Sequence, residues 1–153
     1  MVSTQFGALL KEFESFFDCS LEPDNNNSCL IHLGNDINIQ IEMDRDGCIL
    51  IGSRLGAVHM GRYREVLIQQ ALKSNEVTLP STGIFGFSHK SNQLILFMKL
   101  TPFNLNSSEI SILLPPFIDK VKLWKEAIAK GEIPTIHSSI STKKPAGIFG
   151  LIS

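Results

Sequence analysis

The side chains that could carry catalysis or bind a metal are few in this sequence and lie far apart along it. The four histidines are His32, His59, His89 and His137, and none has a second histidine, a cysteine or an acid at the spacing of a metal site. The sequence also lacks a Cys-x-x-Cys pair, a glycine-rich phosphate loop and a Gly-x-Ser-x-Gly motif. We therefore predict that the chain is not an enzyme and uses no metal and no cofactor.

One acidic stretch, "DRDG" at 44–47, has the side chains that calcium prefers. A calcium loop of the EF-hand type needs ligands spread over twelve residues and ending in glutamate. Here the chain continues directly into the apolar run 48–51. The stretch is therefore predicted to be the turn of a β-hairpin.

Composition narrows the class of partner. The net charge is −1, and the strand aromatics have no basic groove around them, so we predict no nucleic-acid partner. No apolar run reaches the ~20 residues of a membrane span, and the first residues lack a basic signal region. The three cysteines, Cys19, Cys29 and Cys48, are an odd number and are expected to be free thiols. Together these features predict a cytoplasmic protein that does not insert into a membrane.

The charge is unevenly distributed along the chain. Up to residue 46, nine acids and two bases give −7, and after it six acids and twelve bases give +6, which sum to −1. This asymmetry fits one polarised face, and it fits equally well the chance clustering of solvated charges.

Hydrophobic periodicity indicates the elements that position these side chains. Residues 4–17 carry phenylalanines and leucines at helical spacing, whereas three later runs alternate with a period of two. The predicted order is helix 4–17, strands 29–33, 37–43 and 48–55, helix 61–74, strands 84–88 and 93–100, and a last helix within 107–130. This α-β-β-β-α-β-β-α order predicts an α+β fold with helices packed on an antiparallel sheet.

Prolines and a glycine predict the bounds of the last helix. Pro115 and Pro116 predict that the last helix begins near 115, and Gly131 predicts where it ends. We predict one domain, 1–134, followed by a flexible C-terminal tail, 135–153. The tetrapeptide "GIFG" occurs at 83–86 and again at 147–150, a match too short to indicate a repeat.

The central helix, "YREVLIQQALKSN" at 63–75, is apolar over an unusually wide arc of about 240°. A helix that packs only on its own sheet needs little more than 100°. The second apolar surface could face a partner subunit or another helix of the same chain, and periodicity does not separate these. For the first case, the predicted dimer interface is Tyr63, Val66, Leu67, Ile68, Ala71 and Leu72. The phenylalanine-rich first helix is a second candidate for an apolar binding surface.

The ordered succession of these stretches resembles the CesT/SycE-like (class I) chaperones of bacterial type III secretion, and within them it is most similar to chlamydial members. The resemblance covers about residues 4–134. It is carried by "FGALLKEFESFF", by the three-strand stretch 25–56 with its Leu55-Gly56, by the central helix with Leu72 and Asn75, by the hairpin "GIFGFSHKSNQLILFMKL", and by "WKEAIAKGEIP". The sequence departs from the family in its pI of about 6.4, since members are often distinctly acidic, and in the Pro115-Pro116 pair.

The resemblance implies a type III secretion chaperone with the α+β fold predicted above. Such a protein is a homodimer, or a heterodimer with a paralogous chaperone, and the central helix serves dimerisation. Its partner is a secreted client, an effector, translocator or gatekeeper, bound in extended form near the client's N-terminus. The implied client-binding residues are Phe6, Leu9, Leu10, Phe13, Phe17, Ile31, Leu33, Ile39 and Ile41. The alternatives from a different class are a regulatory interaction module that controls secretion or transcription, and a hydrolase with scattered catalytic residues.

Overall fold

The computed structural model describes residues 4–34, 36–77 and 82–135. In these ranges three α-helices, α1 (Thr4–Phe17), α2 (Arg62–Val77) and α3 (Ser107–Lys130), alternate with five strands. The strands are β1 (Ser28–Leu33), β2 (Ile37–Met43), β3 (Ile49–Ala57), β4 (Ile84–Ser88) and β5 (Gln93–Leu100). The predicted order and α+β class are confirmed. Of the predicted tail, 135–153, the residues from 136 onwards lie outside the described ranges.

The five strands form one antiparallel sheet in the order β1-β2-β3-β5-β4, so that β1 and β4 are its edges. The register places one row of residues straight across all five strands: Leu30, Gln40, Gly52, Phe97 and Ile84. Side chains of successive strand residues point to opposite faces of a sheet. The row therefore lies on one face, and the neighbouring residues Ile31, Ile39, Ile51 and Met98 lie on the other.

The core lies between that second face and the helices. Ile39, Ile41 and Ile51 on the strands are fully buried there, as are Phe6 and Phe13 of α1. Helix α1 packs on α3, and α3 packs on β3. Burying each of these large side chains stabilises the fold by roughly 1.5–3 kcal/mol. The apolar stripe of the first helix is therefore used mainly within the chain itself.

The prediction that the last helix begins near 115 is wrong, because α3 begins at Ser107. The Asn106 side chain caps it by accepting a hydrogen bond from the Glu109 N–H. The two prolines cannot donate to the carbonyls of Ser111 and Ile112. Both of those residues are exposed, so water can satisfy their carbonyls and the helix continues. The predicted end is confirmed, since Gly131 has a φ of 68° and its N–H bonds to Ala127 and Ile128.

Two five-residue turns share one hydrogen-bond pattern. In the β2–β3 hairpin, the Asp44 carboxylate accepts from the N–H groups of Asp46 and Cys48, and the Asp44 N–H donates to the Cys48 carbonyl. Asp24 makes the same bonds with Asn26 and Ser28 just before β1. The predicted "DRDG" hairpin turn is confirmed, and its backbone N–H bonds, led by that of Cys48, hold the pKa of Asp44 below its usual range. The structure adds that 24–28 has the same geometry.

Candidate functional site

The edge of β1 is open for two residues. The Asp24 turn takes both the N–H and the C=O of Ser28 on the side of β1 that faces away from β2. In an antiparallel pair, the backbone N–H and C=O groups of successive residues point alternately toward the neighbouring strand and away from it. Like Ser28, therefore, Leu30 and His32 direct their backbone N–H and C=O groups away from β2. No partner within the described ranges occupies these groups. Two N–H donors and two C=O acceptors are therefore available to an extended peptide.

An apolar groove begins where this edge ends. Phe16 and Phe17 of α1, Leu33 of β1 and Ile118 of α3 line a cavity of about 440 Å³. The Phe16 and Phe17 rings meet edge to face, with their centroids 5.0 Å apart. The remaining lining residues are Gly34, Pro115, Asp119 and Lys122. The groove thus has apolar walls and one charge of each sign at its rim.

The opposite face of the sheet forms a second, wider groove of about 670 Å³. Its apolar residues include Leu30, which is 53% exposed, and Phe97, which is 38% exposed. Gly52 lies between them in the cross-strand row, and because it has no side chain the groove is deepest there. Polar side chains surround the apolar ones: Asn38, Gln40, Glu42, Arg54, Gln93 and Lys125. Leu30 belongs to both the open edge and this face.

The structure divides the predicted client-binding residues into two sets. The first set is buried inside the chain and cannot contact a client without rearrangement: Phe6, Leu10, Phe13, Ile31, Ile39 and Ile41. The second set is half-buried and reaches the surface: Leu9, Phe17 and Leu33. Phe17 and Leu33 meet in the α1–α3 groove, together with Phe16 and Ile118, which the sequence prediction did not include. Periodicity shows that such residues are apolar but not which neighbour covers them.

Helix α2 also divides into an inner and an outer part. Leu67 and Ala71 are buried in the chain's own core. Tyr63 is half-buried and donates its hydroxyl to the Glu132 carbonyl, 2.7 Å away. Val66 and Ile68 are half-buried, and Leu72 is 57% exposed. Ile68 and Leu72 lie about 40° apart on the helix and form one outward patch, whereas Val66 lies about 120° from Leu72 on the other flank.

The far edge of the sheet is held by a side chain of α2. The Asn75 amide donates to the C=O of Phe85 at 3.1 Å and accepts from its N–H at 2.8 Å. The amide thus fills the place of a neighbouring strand at the middle of β4. Next to it, the Arg64 guanidinium lies 4.4 Å from the centre of the Phe87 ring. Sequence reasoning noted Asn75 only as part of the resemblance, without a role.

The described residues show no arrangement that suggests chemistry. Among them, no three histidine, cysteine or acidic side chains come together as metal ligands would. One large pKa shift belongs to Lys120, whose burial lowers its pKa to about 8. Its ammonium lies 4.9 Å from the centre of the Phe85 ring, away from both grooves. Of the helices that the structure describes, none is both long and apolar enough to span a bilayer.

An open strand edge beside apolar grooves is typical of a protein that binds peptide segments, and the sequence comparison specifies the class. The chain matches the profile of the Tir chaperone protein (CesT) family over residues 8–125. It therefore belongs to this family, and it is a type III secretion chaperone. No curated protein sequence matches the chain.

Solved structures give the same fold. The HopA1–SchA chaperone–effector complex contains a chain with a TM-score of 0.65 and 17% identity, covering 80% of this chain and 94% of that chain. The Yersinia pestis type III secretion chaperone SycH, in complex with a fragment of YscM2, matches with a TM-score of 0.63 and 13% identity over 78% and 98%. The ExsC–ExsE complex matches with a TM-score of 0.63 and 15% identity over 80% and 92%.

Proposed function

We propose that the chain binds its client as an extended segment along the open edge of β1 and in the α1–α3 groove. The observation that carries this proposal is the continuity of the two sites, since the outward backbone groups of Leu30 and His32 lead to the groove at Leu33. Held in this way, the segment cannot fold, and it stays soluble and competent for secretion. The chain does this in the bacterial cytoplasm and performs no chemical step on the client.

Strand pairing and side-chain burial have separate roles at such a site. Backbone hydrogen bonds to Leu30 and His32 supply affinity without reading sequence, whereas pockets for alternate side chains supply specificity. Every second residue of a strand paired with β1 points toward the α1–α3 groove. The others point to the open face beside Leu30. An apolar client residue buried in either groove contributes roughly 1.5–3 kcal/mol.

The client site is tested with Phe17→Asp, which places a charge in the groove. Phe103→Asp is the matched control, because Phe103 is 86% exposed and lies outside both grooves. The tagged full-length chain is purified from its native cytosol, and bound protein is mapped by peptide mass spectrometry. We expect one client segment of several dozen residues to be recovered with the parent chain and the control, and to be lost with Phe17→Asp. Recovery of DNA or a transcription factor instead would favour the regulatory module.

We further propose that α2 forms the subunit interface through Ile68 and Leu72, in a homodimer or in a heterodimer with a paralogue. Leu67 is unsuited to a test, because it is fully buried within its own chain and a charge there would unfold the protein. Leu72→Asp changes an exposed side chain and leaves the core intact. Sedimentation is expected to give a dimer for the parent chain and a monomer for Leu72→Asp. An unchanged dimer would place the interface elsewhere.

Two finer points remain predictions. The client is a secreted effector, translocator or gatekeeper, and peptide mapping of the co-purified segment would identify it. The similarity to chlamydial members would be tested by aligning the chain with chlamydial chaperones over residues 4–134.

A further inference from the structure

We propose that residues 143–152 of the chain's own C-terminal segment dock on the open β1 edge and in the α1–α3 groove, as a resident competitor of the client. The claim that the segment competes with the client rests on the client site proposed above, whereas the claim that the segment docks on this edge does not. Four features support this occupant: its sequence, the place that is free in the sheet, its reach and its charge.

The segment shares the tetrapeptide Gly-Ile-Phe-Gly with a strand of the same protein. Residues 147–152 are Gly-Ile-Phe-Gly-Leu-Ile, and residues 83–88, which contain β4, are Gly-Ile-Phe-Gly-Phe-Ser. In β4 the aromatic residue Phe85 points toward the helices and packs on Trp124, with ring centroids 4.3 Å apart. Ile84 points to the other face and is 42% exposed. In β4 the tetrapeptide therefore places its phenylalanine under the sheet and its isoleucine on the open face.

The place next to β5 is already filled by β4, so a second strand of this kind needs another edge. Within the described residues, the open edge is that of β1 at Leu30 and His32. The groove beside it has aromatic and aliphatic walls, Phe16, Phe17, Leu33 and Ile118, like the surroundings that Phe85 has in the core. Phe149 is the side chain expected to enter this groove, with Ile148 and Gly150 facing the open side.

The length of chain before the segment allows it to reach this edge. The described chain ends at Thr135, next to Pro134, whose carbonyl accepts a hydrogen bond from Gln70 of α2. The seven residues 136–142, between the described chain and the docked segment, span up to about 25 Å when extended. The five strands of the sheet, four spacings of about 4.8 Å, are only about 19 Å wide. A linker of this length also gives an effective concentration in the millimolar range, so weak docking suffices.

Charge complementarity favours the same edge. Lys143 and Lys144 lie four and three residues before the start of the β4-like sequence, and the chain up to residue 46 has a net charge of −7. At the start of β1 lie the exposed acids Glu22 and Asp24, and beyond its end lies the exposed Asp36. A docked strand running in either direction therefore places the two lysines beside acidic residues. High salt is expected to weaken the docking, because these charges are exposed.

The test is hydrogen exchange of the outward amides of Leu30 and His32 in the full-length chain, with no client present. Phe149→Asp removes the side chain that enters the groove, and Ile140→Asp is the matched control in the same segment but outside the β4-like sequence. We expect exchange of both amides to be at least ~10-fold faster in Phe149→Asp and unchanged in Ile140→Asp. A synthetic peptide of residues 143–153 added to Phe149→Asp should restore the slow exchange.

Equal exchange in the parent chain and Phe149→Asp would overturn the proposal. Protection that rises with protein concentration would overturn the assignment to the same chain and place the segment on a second copy. Binding of the mapped client peptide should tighten ~10-fold in Phe149→Asp, because the competitor is gone. If exchange accelerates but client affinity stays constant, the docking stands and the client site proposed above is wrong. If Phe17→Asp loses the client while exchange never changes, the client site stands and the docking is wrong.

Discussion

The two edges of one sheet are treated differently in this protein. At β4, helix α2 runs along the edge and the Asn75 amide takes both outward backbone groups of Phe85. At β1, the Asp24 turn takes the outward groups of Ser28, and no residue of the described ranges takes those of Leu30 and His32. Both edges belong to the same antiparallel sheet, and both strands pair with a single neighbour.

The difference between the two edges supports the proposal that a client pairs with β1 rather than with β4. An unpaired strand edge is a template for aggregation, and soluble proteins usually cover it or keep it short. Here one edge is covered by the chain itself. The other is left open over two residues and lies beside an apolar groove. If the client binds as proposed above, an edge of this length offers it strand pairing while exposing few backbone groups between clients.

The largest expected effect separates the inner and outer sides of β1. Ile31 directs its N–H toward β2 and its side chain into the core, so Ile31→Pro removes a ladder hydrogen bond and truncates a buried side chain, and should lower the free energy of unfolding by about 3 kcal/mol or more. His32 directs its N–H outward, where proline is tolerated on an edge strand. We therefore expect His32→Pro to keep its urea-unfolding free energy within about 1 kcal/mol of the parent chain and to lose client binding.

His32→Ala is the control for this pair, because the His32 ring also bonds the Asn38 side chain at 2.6 Å. It removes that contact and keeps the outward N–H, so client binding should survive. If His32→Pro binds the client as tightly as His32→Ala, strand pairing at this edge is not used.

The second prediction concerns the covered edge. Asn75→Ala removes both hydrogen bonds to Phe85 and leaves two partly buried backbone groups without partners. We expect a loss of about 2–3 kcal/mol in the free energy of unfolding, measured by urea denaturation. Lys73→Ala changes an exposed residue of the same helix and should stay within about 0.5 kcal/mol. An equally stable Asn75→Ala protein would show that α2, rather than this amide, protects the edge.

This contrast between edges could be predicted from the sequence only in part. The alternation in 37–43 and the phenylalanine spacing in 4–17 were enough for the elements and their order, because both patterns repeat within a single element. The partner of an element is not encoded in that pattern. Leu67 and Leu72 look alike in the central helix, yet one is fully buried and the other mostly exposed. The same holds for Phe13 and Phe17 in α1.

Some local features were also hidden from sequence reasoning for identifiable reasons. The turn at 24–28 matches that at 44–48, but Asn27, with a φ of 57°, takes the left-handed position that Gly47 takes in the hairpin. Asparagine is one of the few residues other than glycine that adopt this conformation. The turn at 24–28 therefore contains no glycine by which the sequence could have revealed its similarity to the turn at 44–48. The Asn75 amide reaches a backbone ten residues away, beyond any local motif. The Pro115-Pro116 pair led to the wrong predicted start of α3. A helix can continue through these prolines because the carbonyls of Ser111 and Ile112 are exposed to water, and that exposure depends on tertiary packing, which the local sequence does not show.

The third prediction tests the core beneath the covered edge. Lys120 lies against Phe85, and no described residue hydrogen-bonds its ammonium. Its pKa is about 8 when folded, below its ordinary value of 10.5, so the unfolded chain binds more protons between these two pH values. The free energy of unfolding should therefore rise as the pH increases from about 8 to 10.5.

Lys120→Met removes this charge and should raise the free energy of unfolding at pH 7 by about 1–2 kcal/mol, less than the full pKa shift implies because nearby solvent screens part of the charge, and it should flatten the rise with pH. Urea titrations across the pH range provide the measurement, with Lys122→Met, an exposed neighbour, as the control. A rise that persists in Lys120→Met belongs to another group.

The smallest expected effect sets the length of the open edge. Asp24→Ala removes the carboxylate that accepts from Asn26 and Ser28, and Asp44→Ala does the same in the matching turn at the β2–β3 hairpin. Each should lower the free energy of unfolding in urea slightly, by a similar amount in the two variants. Only Asp24→Ala frees the outward N–H of Ser28, so only it should accelerate exchange there and strengthen client pairing. Asp24→Asn keeps an acceptor oxygen and should behave like the parent chain. Equal client binding by the two alanine variants would mean that the client does not extend past Leu30, which would limit the pairing to the two residues that the native edge leaves open.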